Sequence, residues 1–329
     1  MQTSPETSFT PRHIGHRSDM ELPWECVVVG GGAAGLSAAL MLGRARRRTL
    51  VIDMAQPSNR AAPTIGGLLG HDQRPPAELY ATGRRELSAY PSVQYRRGAV
   101  VDGSVDDDRL RLVLDDGEEV DALRVLLASG MDYCPPTIMG LEKLWGKTVF
   151  QCPFCHGWEM RDKRLATLVA GDDGVHSALM LRGWSDDVVM LTNGPSDLDA
   201  DGRRRLEAAD VGIDERPIAR LDGHDGQLTG IIFDNGRRLE RDGLLVEAPL
   251  QQRSRLAEKL GAACETGPMS ADSVGVDSLH RTSTAVVFAA GDICTAHPDV
   301  AGAIAGGAQA AMIIVQSLLA DEFGLPYPP

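Results

Sequence analysis

Two closely spaced cysteines are the residues in this sequence best suited to chemistry. Cys152 and Cys155 lie in the segment QCPFCHGWEM, residues 151–160, and His156 follows directly. Such a pair can contribute to a metal site, form a structural disulfide or serve as a dithiol/disulfide couple. A structural zinc site needs four ligands, and the sequence has no second CxxC pair to complete one. The other candidate ligands show no ligand spacing among themselves: His71, His176 and His297. We therefore interpret the pair as redox-active and not metal-binding, with His156 placed to act as acid or base.

A glycine-rich turn near the start of the chain predicts a dinucleotide site. Gly30, Gly32 and Gly35 form a G-x-G-x-x-G pattern after the apolar run CVVV, and Asp53 follows eighteen residues later at the end of a second apolar run. In a strand–turn–helix–strand unit the glycines permit a tight turn, close approach of a pyrophosphate and helix–strand packing. The helix N-terminus attracts the phosphates, and Asp53 is expected to accept hydrogen bonds from the adenosine ribose. A glycine turn without a ligand is the alternative.

The segment FAAGD, residues 288–292, favours FAD over NAD as the dinucleotide. It matches the second flavin fingerprint of flavoproteins with two dinucleotide-binding domains, in which the aspartate binds the ribitol. Asp292 is the candidate for this role. On its own, Asp292 would be an ordinary acidic N-cap of the following helix. Together with the Gly30 turn it predicts an FAD site.

The composition is that of a globular protein with room for two domains. The chain has 329 residues, of which 43% are hydrophobic and 24% charged. Its net charge of −13 argues against binding to nucleic acid or to an anionic membrane surface. No apolar run approaches the length of a membrane span. Residues 1–21 are polar and lack the apolar core of a secretory signal, so we expect a flexible leader and a cytoplasmic location.

A cytoplasmic location disfavours a structural disulfide between Cys152 and Cys155. The remaining cysteines lie mostly in apolar runs and are expected to be buried free thiols: Cys26, Cys134, Cys264 and Cys294.

The chain repeats one architecture. Residues 26–53 predict strand, turn, helix and strand, and residues 109–130 predict a hairpin followed by a buried strand; residues 164–194 and 226–249 follow the same order. The C-terminal segment 283–322 is expected to return and complete the first copy. We therefore predict an α/β fold with an FAD-binding domain at 22–135 and 268–329 and a second dinucleotide-type domain, 136–267, inserted into it and carrying the cysteine pair.

These motifs, in this order, resemble the low-molecular-weight thioredoxin reductase family over nearly the whole chain after residue 24. The family implies two Rossmann-like domains, FAD and a homodimer. Its reductases usually have the pattern C-x-x-C-D, whereas this chain has CPFCHG at 152–157. The histidine variant resembles the dithiol oxidases that close disulfides in natural products such as gliotoxin, holomycin and romidepsin. The segments 53–60 and 70–72 also resemble that branch. The resemblance implies further cofactor-binding residues: Ala33, Ala34, Asn59, Arg60, His71, Gly130 and Gly291.

The second dinucleotide unit predicts weak or lost NADPH binding. We align its turn so that Asp173 and His176 take the places of Gly32 and Gly35. A side chain at the second position blocks close approach of a pyrophosphate, and a carboxylate repels it. The next strand ends in LTNG, 191–194, without an acid or arginine for a ribose or its phosphate. Arginines 203–205 lie downstream and are interpreted as a solvated helix face.

An FAD enzyme that does not accept hydride from NADPH takes its electrons from thiols or from a protein donor. We therefore predict an FAD-dependent dithiol oxidase that acts on a small-molecule dithiol and reduces dioxygen to hydrogen peroxide. In its most specific form, the prediction is a natural-product enzyme for a holomycin-like dithiolopyrrolone. Cys152 exchanges with substrate, Cys155 lies next to the flavin by family analogy, and His156 is the base. His297 is a weaker second base. Two alternatives remain: a disulfide reductase fed by NADPH or ferredoxin, and a non-catalytic flavoprotein redox sensor.

Overall fold

A computed structural model describes residues 22–106 and 109–327 of the chain, and the predicted leader at 1–21 lies outside the described residues. The elements of the first half are β1 (Trp24–Val29), α1 (Ala33–Arg44), β2 (Thr49–Asp53), α2 (Pro76–Leu87), β3 (Val93–Arg97), β4 (Val100–Asp106), β5 (Arg109–Leu114), β6 (Glu119–Leu127), β7 (Met131–Tyr133), β8 (Val149–Phe150) and α3 (Pro153–His156). The elements of the second half are β9 (Leu165–Leu168), α4 (Gly171–Leu181), β10 (Val188–Leu191), α5 (Ala200–Ala208), β11 (Gly212–Asp214), β12 (Ile218–His224), β13 (Gln227–Phe233), β14 (Arg238–Leu239), β15 (Gly243–Val246), β16 (Leu250–Gln252), α6 (Leu256–Lys259), β17 (Cys264–Glu265), β18 (Ser273–Val274), β19 (Val287–Ala289) and α7 (Val300–Phe323).

The first sheet has a parallel core with an antiparallel extension. Its order is β3-β2-β1-β6, β19 pairs in parallel with the end of β6, and β5 and β4 continue antiparallel from the start of β6. The inner strands are apolar along their length because helices or strands cover both faces of the sheet. Chain order reverses between β1 and β6, and ligands bind at such a switch point, outside the carboxyl ends of the strands.

The long helix α7 packs against α1 through small residues. A Cβ atom on Gly307 would lie 2.0 Å from the Ala34 carbonyl oxygen, so only glycine permits this close approach. Ser37 Oγ adds a hydrogen bond of 2.7 Å to the Ile304 carbonyl. By length and composition α7 is apolar enough to span a membrane, contrary to the prediction that no run approaches that length. Its buried face belongs to the core between α1 and the first sheet, which accounts for its apolar character.

The second sheet is wholly parallel, with the order β11-β10-β9-β15-β8. Helices α4 and α5 pack together beside it, and β12, β13 and β14 form a separate antiparallel sheet. Each sheet therefore carries its own strand–turn–helix unit. The architecture is the predicted α/β fold with two Rossmann-like units, the second inserted into the first.

The chain returns to the first unit earlier than predicted. Strand β7 leaves the first sheet and pairs antiparallel with β16, so these two strands form a ribbon between the two units. Residues Leu250, Leu256 and Leu260 are buried in the core of the first sheet. The predicted return at 268 is therefore about eighteen residues too late, because the packing of β16 and α6 assigns them to the first unit.

Candidate active site

A cavity of about 550 Å³ opens at the carboxyl ends of β1, β6 and β19. It brings together most of the candidate residues of both motifs and the cysteine segment. Those in its wall are Gly30, Gly32, Ala33, Ala34, Asp53, Asn59, Arg60, Gly130, Cys152, Cys155, His156, Gly291 and Asp292. The candidates outside its wall are Gly35, His71 and His297. The dithiol pair and the dinucleotide motifs thus share one cavity.

The first glycine turn has the geometry of a phosphate cradle. Gly30 has a φ of +106°, and a Cβ there would lie 2.3 Å from the Ala128 carbonyl oxygen. A Cβ on Gly35 would lie 1.8 Å from the Gly30 carbonyl oxygen, so this glycine serves helix–strand packing from outside the cavity. A Cβ on Gly32 would meet nothing within 4 Å. Because Gly32 is the N-cap of α1, the open space lies at a helix N-terminus, where a phosphate binds favourably.

Two tyrosines that the sequence analysis missed hold the two candidate carboxylates. Tyr95 Oη donates a hydrogen bond of 2.6 Å to Asp53 Oδ2. Tyr133 Oη donates one of 3.1 Å to Asp292 Oδ2, and burial raises the pKa of Asp292. Each tyrosine leaves the other oxygen of its carboxylate for a ribose or ribitol hydroxyl. Tyr95 lies on β3, next to β2, so its approach to Asp53 follows from strand pairing.

The two histidines outside the cavity wall have different surroundings. His71 lies in the turn after Leu68, and its Nδ1 is buried without a hydrogen-bond partner among the described residues. His297 is exposed in the loop before α7, with its backbone N–H bonded to Thr295 Oγ1. The cofactor role of His71 and the base role of His297 stay predictions.

The two cysteines lie on the short helix α3, with their Sγ atoms 2.7 Å apart. Cys152 is the N-cap of α3 and Cys155 lies in its last turn. The Cys155 thiol donates to Cys152, and the backbone N–H groups of Cys155 and Phe154 add to this, which lowers the pKa of Cys152 to about 7. The same hydrogen bond and burial raise the pKa of Cys155. Within the pair, Cys152 is therefore the cysteine that ionises first and Cys155 the one that keeps its proton.

The remaining cysteines differ from the predicted buried thiols at two positions. Cys26 is buried and Cys294 partly so, whereas Cys134 and Cys264 are exposed at the ends of short strands. Among the described residues no group of three or more His, Cys, Asp or Glu side chains is arranged to hold a metal ion.

We expect the Cys152 thiolate to be detectable by its reactivity. In the anaerobically reduced protein, the rate of alkylation of Cys152 by iodoacetamide should rise with a midpoint of about pH 7. In Cys155→Ala this midpoint should move up toward the ordinary thiol range, because the largest contribution to the lowered pKa is the donated hydrogen bond from Cys155. Mass spectrometry of the alkylated peptide measures both rates. An unchanged midpoint in Cys155→Ala would contradict the assignment.

His156 is a neutral imidazole with one free nitrogen. Its ring stacks on Phe150, with centroids 5.4 Å apart, and burial lowers its pKa. Nε2 lies 3.3 Å from the Gly146 carbonyl oxygen, which only accepts, so Nε2 carries the hydrogen. Nδ1 is then the unprotonated nitrogen, and it has no hydrogen-bond partner among the described residues. His156 can therefore accept a proton at Nδ1.

The two units touch backbone to backbone beside the cysteine pair. A Cβ on Gly66 would lie 2.5 Å from the Cys155 carbonyl oxygen. Gly66 belongs to the loop between β2 and α2 of the first unit, whereas Cys155 lies on α3 beside the second sheet. Glycine at 66 allows α3 to approach the cavity this closely.

The cavity fits FAD by its donors and acceptors. Three of its wall residues have a buried polar atom without a hydrogen-bond partner among the described residues: Gln151 Oε1, His156 Nδ1 and Arg253 Nε. Buried polar groups normally have partners, so these atoms fit a bound polar group. The open space at Gly32 fits a pyrophosphate, and Asp53 and Asp292 are spaced along the cavity for its two sugar-like ends. When bound, FAD supplies two-electron chemistry next to the dithiol.

The structure corrects the alignment of the second glycine turn. Strand β9 ends at Leu168, so Val169 takes the place of Gly30. A Cβ on Gly174 would lie 2.1 Å from the Val169 carbonyl oxygen, the same relation that links Gly35 to Gly30. Gly171, at the start of α4, therefore corresponds to Gly32, and Asp173 and His176 do not replace glycines. The second glycine turn differs from the first in two ways. It has Val169 in place of Gly30, and two acidic residues, Asp172 and Asp173, lie in the first helical turn of α4.

The predicted solvated arginines on α5 are mostly paired at the surface. Arg203 Nη2 lies 3.2 Å from Glu215 Oε1 and Arg204 Nη2 lies 2.6 Å from Asp201 Oδ1. Two of the three arginines at 203–205 are thus engaged in ion pairs on the exposed face of α5.

A family model for pyridine nucleotide-disulphide oxidoreductases matches residues 24–310, and the chain belongs to this family. It is 30% identical to the protein named thioredoxin reductase tcpT of Claviceps purpurea, over 91% of this chain and 96% of that protein. Among solved structures, HlmI is similar with a TM-score of 0.84 and 34% identity, covering 92% of this chain and 94% of that chain. An oxidoreductase from Agrobacterium tumefaciens has a TM-score of 0.85 and 34% identity, covering 91% and 99%. The predicted resemblance to thioredoxin reductases, the fold and FAD as cofactor are confirmed. The protein is a disulfide oxidoreductase.

Proposed function

We propose that this protein is an FAD-dependent dithiol oxidase that closes a disulfide in a small-molecule natural product, such as a dithiolopyrrolone of the holomycin type. The observation that carries the proposal is the wall of one cavity. It combines the dinucleotide motifs, the Cys152–Cys155 pair and a neutral His156, so that thiol exchange and the cofactor are adjacent. The proposal includes dioxygen as electron acceptor, a cytoplasmic location and a homodimer, the last by analogy with the family.

The proposed cycle starts from the Cys152–Cys155 disulfide. His156 Nδ1 takes the proton of one substrate thiol, and the thiolate attacks Cys152 Sγ, which breaks the Cys152–Cys155 bond. Cys155 leaves as a thiolate and receives the proton from His156, in line with its raised pKa. His156, neutral again, takes the proton of the second substrate thiol, and this thiolate displaces Cys152, whose pKa of about 7 makes it a good leaving group. The product leaves as a disulfide, and the protein holds two reduced cysteines.

The balance of the reaction requires two electrons to leave the reduced cysteines. Bound FAD would supply the two-electron acceptor for the reduced cysteines. With dioxygen as the final acceptor, one dithiol and one dioxygen give one disulfide and one hydrogen peroxide. Cys155 shares the cavity wall with Tyr133, which donates a hydrogen bond to Asp292 at the predicted ribitol position, and this placement supports transfer from Cys155 toward the cofactor site.

The acidic first turn of α4 supports thiols over NADPH as the electron source. Asp172 and Asp173 occupy the helix N-terminus where a pyrophosphate would bind, and their charge opposes a phosphate. A second candidate function is an NADPH-dependent disulfide reductase. The observation that favours it is Gly171, which has a φ of +57° and open space in front of it, as at Gly32.

Anaerobic reduction of the yellow protein separates the two functions. We expect dithiothreitol to bleach the visible flavin band and NADPH to leave it unchanged. Admission of oxygen should restore the band and yield one hydrogen peroxide per disulfide formed. Rapid bleaching by NADPH would favour the reductase. Flavin that neither compound bleaches would contradict both functions.

A further inference from the structure

Arg253 lies in the cavity wall but belongs to neither glycine motif. It directly follows β16, on the segment that returns from the second unit. Its side chain is only 17% exposed, and the same wall contains Gly32 and Asp292. A largely buried guanidinium requires an anion or several acceptors close to it.

The contacts of Arg253 fix its side chain and leave donors unused. Nη1 donates a hydrogen bond of 2.7 Å to the Gln56 carbonyl. Nε lies 2.9 Å from Asp132 Oδ1, but it is not directed at that oxygen and has no hydrogen-bond partner among the described residues. Asp132 is itself 61% exposed, so solvent screens this pair. The guanidinium is therefore fixed in position and keeps N–H donors that can bind another anion.

Two neighbours locate Arg253 along the cavity. Gln56 lies in the same wall as Asp53, three residues after it, and Asp53 is the predicted partner of the adenosine ribose. Asp292 marks the ribitol end, and Arg253 is close enough to lower the pKa of its carboxyl against the effect of burial. The part of FAD between adenosine and ribitol is the pyrophosphate.

We propose that Arg253 is a further cofactor-binding residue, and that its guanidinium provides the positive charge for the FAD pyrophosphate opposite the N-terminus of α1. The other two arginines in the wall lie elsewhere. Arg84 interacts with Tyr95 beside Asp53, and Arg60 is exposed on the turn Ser58–Ala61. The inference concerns binding and does not depend on the oxidase proposal.

The test compares ligands with and without phosphate. Full-length protein freed of flavin is titrated calorimetrically with ADP and with adenosine. We expect Arg253→Gln to weaken ADP binding by about 10- to 100-fold and to leave adenosine binding unchanged, because a charge-assisted hydrogen bond to phosphate is lost. Arg253→Lys should regain part of the ADP affinity, since it keeps the charge.

Arg255→Gln is the matched control. Arg255 lies two residues further on, 78% exposed and paired with Glu258, and its replacement should leave both affinities unchanged. Undiminished ADP binding by Arg253→Gln would overturn the proposal. A parallel loss of ADP and adenosine binding would also overturn it, because Arg253 would then act through the Gln56 contact on the shape of the site.

Discussion

Replacement of Cys152 by serine is expected to lower dithiol oxidation by at least about 1,000-fold, because the sulfur that exchanges with substrate is lost. Cys155→Ser should lose turnover to a similar extent for a different reason. Cys152 remains as a thiolate, but it has no partner with which to form the disulfide that substrate attacks. The measurement is hydrogen peroxide release in the presence of dithiothreitol, with flavin content determined for each variant.

The two cysteine variants differ in what they trap. Cys155→Ser should form a mixed disulfide between Cys152 and an added cyclic disulfide, whereas Cys152→Ser should form none in this segment. Mass spectrometry of the peptide that contains residues 152–155 separates this adduct from any at the exposed Cys134 and Cys264. Cys134→Ser is the matched control, since Cys134 is a free, exposed cysteine outside the cavity wall. Dithiol oxidation that survives in both active-site variants would mean that substrate passes electrons to the flavin directly, and the exchange mechanism would be wrong.

Gly32→Asp should remove FAD without unfolding the protein. A Cβ on Gly32 meets nothing within 4 Å, and aspartate is a favourable N-cap for α1, so the fold has no reason to change. The carboxylate would stand where the pyrophosphate binds, and two like charges about 4 Å apart repel by several kcal/mol at an intermediate dielectric. We expect the FAD dissociation constant to rise at least about 100-fold. The quenching of flavin fluorescence on reconstitution measures this constant.

Gly32→Ala separates size from charge at this position. It should weaken FAD binding less than Gly32→Asp, because a methyl group hinders close approach without adding a charge. The thermal unfolding of both flavin-free variants should match that of the flavin-free parent. Full FAD affinity in a folded Gly32→Asp protein would show that the pyrophosphate lies away from the N-terminus of α1.

Features determined by neighbouring residues could be predicted from the sequence. The Gly30 turn, α1 and Asp53 follow one another along the chain, so apolar runs and glycine spacing were enough to place them. The second turn cannot be aligned correctly from the sequence, because the apolar run LATLVA, 165–170, continues past the end of β9 at Leu168. Hydrophobicity does not show where a strand ends, and from the sequence alone Gly171 can be aligned either with Gly30 or with Gly32.

Contacts between distant segments could not be read in the same way. Tyr95 reaches Asp53 through the pairing of β3 with β2, and Arg253 reaches the cavity only because β16 returns beside β7. Both are ordinary surface-type residues in the sequence. The early return of the chain is not predictable for the same reason, since Leu256 and Leu260 suit either core until the packing of α6 is known.

The backbone contact between Gly66 and Cys155 determines how closely α3 can approach the cavity. With a Cβ only 2.5 Å from the opposing carbonyl oxygen, even one methyl group at 66 would act as a wedge and lift α3 away from the cavity. Misplacement of reacting groups by about 1 Å can reduce a rate roughly 100-fold. Glycine at 66 thus keeps the two main chains as close together as possible. The position of the cysteine sulfurs relative to the cofactor site is therefore set by main-chain atoms and does not depend on the side chains around them.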